Sequence, residues 1–117
     1  MKIAIVGAGK LGVKAAETLL GGDHSVTIID KDENALQPLA SQMDVMTICA
    51  NAKEVAILKE LQISTYDFVL TATDRDEKNI VIASFAKKLG CPRVIARIRD
   101  PEHMNQLDFI KETMSID

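Results

Sequence analysis

The sequence predicts an α/β fold, a doubly wound parallel sheet with helices on both faces. Three observations predict it. Short apolar runs alternate with longer amphipathic ones along the chain, which is the pattern of strands and helices taken in turn. Strands joined through helices run parallel, and right-handed crossovers cover both faces of the sheet. The first apolar run, Ile3-Ala4-Ile5-Val6, leads straight into Gly7-Ala8-Gly9-Lys10-Leu11-Gly12, a G-x-G-x-x-G turn opening a helix. The expected strand order is 3-2-1-4-5, with a sixth strand beginning at Ser115-Ile116-Asp117. The whole chain of 117 residues reads as one Rossmann-like domain, apparently cut from a longer protein.

The first strand covers about residues 2–6. The first helix runs from about 10 to 20, with Leu11, Ala15, Ala16, Leu19 and Leu20 inward and Gly21-Gly22 as its stop. A second strand spans 26–30. The second helix starts after Asp32, a good N-cap, and buries Ala35, Leu36, Leu39 and Met43. Pro38 falls inside it and is expected to kink or shorten it. The third strand covers 45–50. The third helix runs over 53–61 on Val55, Leu58 and Leu61. The fourth strand is 68–71. The fourth helix runs over 77–89, with Ile82, Phe85, Ala86 and Leu89 inward and Gly90 as stop. A fifth strand spans 94–98, and Asp100-Pro101 reads as the N-cap and first residue of a fifth helix built on Met104, Leu107 and Ile110.

Composition narrows the function. A hydrophobic share of 47% is enough to build a core. A net charge of −3 leaves no global basic footprint for nucleic acid, and 3% aromatics with no Trp leave no stacking platform. Met1-Lys2 leads directly into a strand, so no signal peptide is read, and no apolar run approaches the ~20 residues of a membrane span. The expectation is a soluble, cytoplasmic domain. Cys49 and Cys91 lie far apart, with no C-x-x-C or Cys/His spacing, and read as inert thiols rather than metal ligands.

The glycine loop carries the chemistry. Gly7 permits the tight turn, Gly9 lets the backbone approach a pyrophosphate, and Gly12 lets the helix pack close to the sheet. The helix N-terminus adds free N–H groups and partial positive charge. Asp30 ends the second strand, where a carboxylate accepts hydrogen bonds from both ribose hydroxyls of adenosine and repels a 2′-phosphate. NAD(H), or another adenosine nucleotide such as ATP or ADP, is therefore favoured over NADP(H), and Lys31 and Lys10 weaken that exclusion a little. The far wall of the crevice is expected from Thr73, Asp74 and Asn79 after the fourth strand. Thr73 or Asp74 can equally cap the fourth helix. Arg97, after the fifth strand, reaches a phosphate or forms a surface ion pair. Asn51, followed by Ala52, meets adenine or caps the third helix. No group is placed as acid or base beside a nicotinamide, because His24 and His103 both fall away from the strands' carboxyl ends. The chain reads as a binding module with no catalytic residue.

Three stretches give the chain a family resemblance. "MKIAIVGAGKLG" resembles the opening strand and loop of the nucleotide-binding domain of Trk/Ktr-type potassium uptake regulators, also called KTN or RCK N-terminal domains. "DFVLTATDRDEKNIVIASFAKKLG", residues 67 to 90, resembles that family's fourth-strand segment, with its T-x-x-D/E-x-x-N spacing. "RVIARIRDPEH", residues 93 to 103, resembles its fifth-strand segment. The resemblance implies a cytosolic regulatory subunit that binds NAD(H) or adenine nucleotides. It implies assembly as a homodimer or higher ring beneath a membrane potassium channel or transporter. It carries Gly7, Gly9 and Gly12 to the pyrophosphate, Asp30 to the ribose, Thr73 and Asp74 to the ligand's far side, and Arg97 to a phosphate. One departure stands out: Ala50-Asn51 replaces the usual Gly-Asp pair, and Asn51 brings a donor and an acceptor but no charge. Two alternatives remain open at this point. One is the NAD-binding half of a dehydrogenase; the other is a free-standing nucleotide sensor.

Overall fold

The computed structural model describes residues 1–100 and residue 102. Five strands form one parallel sheet: β1 (Lys2–Val6), β2 (Ser25–Asp30), β3 (Met46–Cys49), β4 (Phe68–Thr71) and β5 (Val94–Ala96). The order is β3-β2-β1-β4-β5, as expected. Four helices connect them: α1 (Lys10–Leu20), α2 (Glu33–Gln42), α3 (Val55–Glu60) and α4 (Asp76–Lys88). The expected fifth helix and sixth strand lie outside the described residues, as does His103.

Alternation along the strands sorts the core into two layers. Ile3 and Ile5 of β1, with Val26 and Ile28 of β2, pack under α1 and α2 against Ala16, Leu36 and Leu39. Ala4, Val6 and Ile29 face the other way, against Leu58 of α3 and Ile82, Ala83 and Ala86 of α4. Both faces of the sheet are covered, which is why the central strands read as continuous apolar runs.

β1, α1 and β4 match the sequence expectation to the residue. The differences elsewhere have local causes. β3 and β5 are shorter than their apolar runs: β3 loses 45 and 50, ending opposite Asp30 at the end of β2, and β5 ends at Ala96, opposite Thr71 at the end of β4. α3 is one and a half turns long, and a 3₁₀ turn at Ile63–Thr65 follows it, entered through Gln62 in the left-handed region at φ 54°. α2 continues four residues past Pro38 and is not shortened by it. Asp32 caps α2, its carboxylate accepting the Asn34 N–H at 3.0 Å. Gly21 ends α1 in a right-handed conformation at φ −70°, so the stop is not a left-handed glycine cap, whereas Gly90 beyond α4 has φ 115°. Leu11 and Val55 are exposed rather than inward.

Beyond the strands, backbone bonds carry the alignment one residue further. Gly7 N–H donates to Ile29 C=O at 2.8 Å and Ala72 N–H to Val6 C=O at 2.8 Å. Ala50 N–H donates to Asp30 C=O at 3.0 Å and Arg97 N–H to Thr71 C=O at 2.9 Å. The loops after all five strands therefore leave the sheet side by side, along its carboxyl edge.

Candidate functional site

A crevice of about 380 Å³ opens at that edge, where the chain turns outward in opposite directions from β1 and β4. This is the topological switch point at which open α/β sheets hold ligands. Its floor is the glycine loop. Gly7 sits at φ 113°, and a Cβ there would lie 2.6 Å from the Ala72 carbonyl oxygen. Only glycine lets the β1 and β4 loops touch in this way. Gly12 is equally enclosed, since its Cβ would fall 2.0 Å from the Gly7 carbonyl oxygen. It is buried and does not line the crevice, and it packs α1 onto the loop.

Gly9 differs from both. It is the N-cap of α1, its backbone is extended (φ −80°, ψ −170°), and a Cβ built on it meets nothing within 4 Å. Neither conformation nor a close neighbour demands glycine here; Gly9 lines the crevice, and its lack of a side chain leaves that space open. No side chain caps α1, so the N–H groups of its first turn, on Lys10 and Leu11, open toward the crevice with the positive end of the helix dipole.

Asp30 is half-buried, and its carboxylate is already engaged. Oδ2 accepts the Ala8 N–H at 2.8 Å and Oδ1 the Asp32 N–H at 2.8 Å. The acid thus locks the glycine loop against the β2 loop, and its remaining lone pairs face the crevice it lines. Asn51, on the neighbouring loop after β3, also lines the crevice and builds its own turn, Oδ1 accepting the Lys53 N–H at 3.1 Å. It does not cap α3, whose N-cap is Glu54. Ala52 is buried beside it.

The β4–α4 loop corrects one expectation. Asn79 has 0% of its surface exposed and does not line the crevice. Its Oδ1 accepts the Thr73 N–H at 2.8 Å and the Thr73 hydroxyl at 2.7 Å, and its Nδ2 donates to the Thr73 carbonyl at 3.3 Å and the Arg97 carbonyl at 3.0 Å. An amide has four such positions, and all four are used within the protein. Asn79 is therefore a clamp that joins the β4 loop to the end of β5. Thr73 lines the crevice, yet its hydroxyl points to Asn79. Neither Thr73 nor Asp74 caps α4, whose N-cap is Arg75 without a side-chain bond. Asp74 and Arg97 line the crevice as expected.

Sequence reasoning gave no role to Lys53, Lys78 or Asp76 and weighed Arg99 only as the other arginine after the fifth strand. With Lys53, Lys78 and Arg99 the crevice lining holds six cations against three carboxylates, in a chain whose net charge is −3. Asp76, only 7% exposed, accepts the Arg99 and Asp100 N–H groups at 2.9 and 2.8 Å and fixes the segment after β5. The signal for Lys78 lay in register: it stands one residue before the clamp Asn79, on the first turn of a helix that starts at the crevice. The Lys78 ammonium is pushed below the ordinary lysine range by the Lys31 amine within hydrogen-bonding range and by that neighbour's charge. Partial burial and Lys53 add to the shift, and Asp74 opposes it.

The remaining titratable candidates stand apart from this chemistry. His24 contacts the Met1 amine at 3.3 Å, at the amino ends of the strands and far from the crevice. Cys49, at the end of β3, has its thiol pushed up by partial burial and then by Glu33, which keeps it protonated and a poor nucleophile. Cys91 is buried, donating to the Arg93 and Tyr66 carbonyls. Among the described residues no helix is long and apolar enough to cross a membrane.

A sequence model of the TrkA-N domain matches residues 3–115. The chain is 32% identical over 103 residues to the Trk system potassium uptake protein TrkA homolog of Methanothermobacter thermautotrophicus, covering 88% of this chain and 48% of that protein. It is 35% identical over 112 residues to the homolog of Archaeoglobus fulgidus, covering 96% and 25%. It thus spans at most about half the length of these relatives. Three solved structures share the fold. The TrkA-N domain of the Escherichia coli inner membrane protein ybaL superposes with a TM-score of 0.83 at 18% identity, covering 99% of this chain and 83% of that one. The GsuK channel bound to NAD gives 0.80 at 16%, covering 93% and 20%. The Kef C-terminal domain of Shewanella denitrificans in its AMP-bound form gives 0.74 at 20%, covering 93% and 67%.

Proposed function

The chain belongs to the TrkA-N domain family, and from that premise we propose that it is a nucleotide-sensing regulatory module. It binds NAD(H) or an adenine nucleotide in the crevice between β1 and β4 and thereby controls potassium flux through a membrane partner. The observation that carries the reading is Gly9: an extended residue with open space where its Cβ would be, at an uncapped helix N-terminus, in a crevice rich in cations. A dinucleotide or nucleotide needs these things together, room for the pyrophosphate, backbone donors aimed at it, and positive potential around it.

The roles follow from placement. Gly9 and the N–H groups of Lys10 and Leu11 hold the pyrophosphate, with Gly7 and Ala8 shaping the loop. Asp30, kept in place by the Ala8 and Asp32 N–H groups, accepts from the adenosine ribose beside Lys31. Asn51 and Ala52 flank the adenine. Thr73, Asp74 and Arg97 form the wall that meets the far end. Gly12 and Asn79 act one layer back. The bound nucleotide supplies no reaction here; it supplies a difference in free energy between two arrangements of the assembly, because equal affinity for both shifts nothing. Relatives named as Trk system potassium uptake proteins, and fold neighbours described with NAD or AMP bound, support the same reading. The partner is a membrane potassium transporter or channel subunit, and the module acts as a homodimer or ring at the inner face of the membrane.

The test is potassium or rubidium flux into liposomes that hold the cognate pore and the intact regulator, with and without NADH, NAD, ATP or ADP. Wild type is expected to show a nucleotide-dependent rate, and Gly9→Asp the same rate in both conditions. Flux indifferent to every nucleotide sinks the regulatory reading.

A further inference from the structure

Pyrophosphate binding uses the glycine side of the crevice and leaves three lysines on its other walls without a role. Lys31 follows Asp30 at the end of β2, Lys53 lies in the turn after β3, and Lys78 is the third residue of α4. Three separate elements thus deliver three ammonium groups to one cavity. All three line the same crevice, and the Lys31 and Lys53 charges act on Lys78 to lower its pKa. Facing ammonium groups repel, and an anion placed between them reverses the sign of the interaction.

Asp30 and Asp32 keep their negative charge while accepting backbone N–H groups, and the three ammonium groups outnumber them. Asp74 is the one acid that favours the Lys78 charge. In a fold of this kind, the residue ending β2 marks the adenosine ribose, and a basic side chain beside it receives a ribose 2′-phosphate.

We propose that Lys31, Lys53 and Lys78 form an anion subsite beside the adenosine ribose that takes the 2′-phosphate of a phosphorylated dinucleotide, so that the crevice accepts NADP(H) as well as NAD(H). This rests on the nucleotide reading above and sets aside the exclusion of NADP(H) that Asp30 by itself implies. A 2′-phosphate is a monoester carrying nearly two charges at neutral pH, and it would meet cations from β2, β3 and α4 together.

Titration calorimetry of the purified chain with NADH, NADPH, ATP and ADP tests it, for wild type, Lys78→Gln and the Lys53→Gln/Lys78→Gln double variant. Wild type is expected to bind NADPH at least as tightly as NADH. The double variant should lose roughly tenfold in NADPH affinity relative to NADH, the scale of one charge-assisted hydrogen bond. NADPH binding more than about tenfold weaker than NADH in wild type, or a ratio untouched by both variants, overturns the inference. Lysine substitutions that move the ATP to ADP ratio, with the NADPH to NADH ratio unmoved, place the anion on a polyphosphate tail and also overturn it. If NADH itself does not bind, the nucleotide reading falls and the subsite with it. If NADH binds and NADPH is refused, the subsite alone falls.

Discussion

At the scale of single residues, three glycines of one motif do three different jobs, and substitution separates them. An aspartate at position 9 adopts the extended backbone without strain and is itself a favoured N-cap. Gly9→Asp is therefore expected to keep or raise the thermal midpoint while abolishing nucleotide binding, because the carboxylate fills the crevice with like charge. Gly12→Ala is expected to do the reverse to the fold. Its Cβ would strike the Gly7 carbonyl at 2.0 Å, and backbone cannot yield cheaply, so a loss of about 3 kcal/mol is anticipated. Denaturant unfolding of both variants, beside calorimetry on the first, checks the pair. Lys78 makes a pH prediction. Its folded pKa is lowered, chiefly by Lys31 and then by partial burial and Lys53, against the pull of Asp74. A base with a depressed pKa costs stability below that pKa, and the cost fades as pH rises to the unfolded lysine value. Lys78→Met should accordingly melt higher than wild type near neutral pH in the absence of nucleotide, and the gap should close in the alkaline range where the unfolded lysine titrates. A gap that is constant with pH would point to packing instead.

At the scale of elements, the far wall of the crevice is held by side chains that do not line it. Asn79 ties the β4–α4 loop to the end of β5 through four hydrogen bonds, and Asp76 secures the next segment through two more. α4 begins inside this network, so the loop cannot move without moving a helix of 13 residues. This gives a physical route by which a nucleotide's far end can act on a rigid element. Asn79→Ala leaves the Thr73 and Arg97 groups buried without their amide partner. A stability loss of roughly 2–3 kcal/mol is expected, with faster amide exchange at Thr73 and Arg99 than across β1 and β2. Uniform exchange across the sheet would show that the amide is a general core residue and not a local clamp.

At the scale of the molecule, charge is segregated. The chain is net acidic, but the crevice at its carboxyl edge gathers more cations than acids. Such a distribution would steer an anionic ligand toward that crevice. The same edge holds no histidine among the described residues: His24 lies at the opposite end of the strands, and the Cys49 thiol is kept protonated. Among the described residues the crevice lining holds neither histidine nor cysteine, and on the regulatory reading a steady loss of NADH absorbance with small carbonyl acceptors is not expected from the purified chain. Enzyme-dependent turnover would favour the dehydrogenase half over the regulatory module.

The sequence by itself determined the layered sheet and the place of its crevice. Local signals were enough for that: the alternation of apolar runs, the glycine loop after β1, the acid ending β2, and Asp32 before α2 all act within a few residues of themselves. It also placed β1, α1 and β4 to the residue, because these sit at the centre and are bounded by glycine or by pairing on both sides. The tertiary structure alone decided what depends on contacts across the chain. At their carboxyl ends β3 and β5 stop where the neighbouring strand ends. Asn79, polar and near the crevice, is turned inward because Thr73 and Arg97 converge on it from two loops. Leu11, in phase with a core stripe, is instead exposed and lines the crevice. Lys31, Lys53 and Lys78 are separated by more than twenty residues at each step, and only the side-by-side exit of the loops from a parallel sheet brings their charges into one cavity.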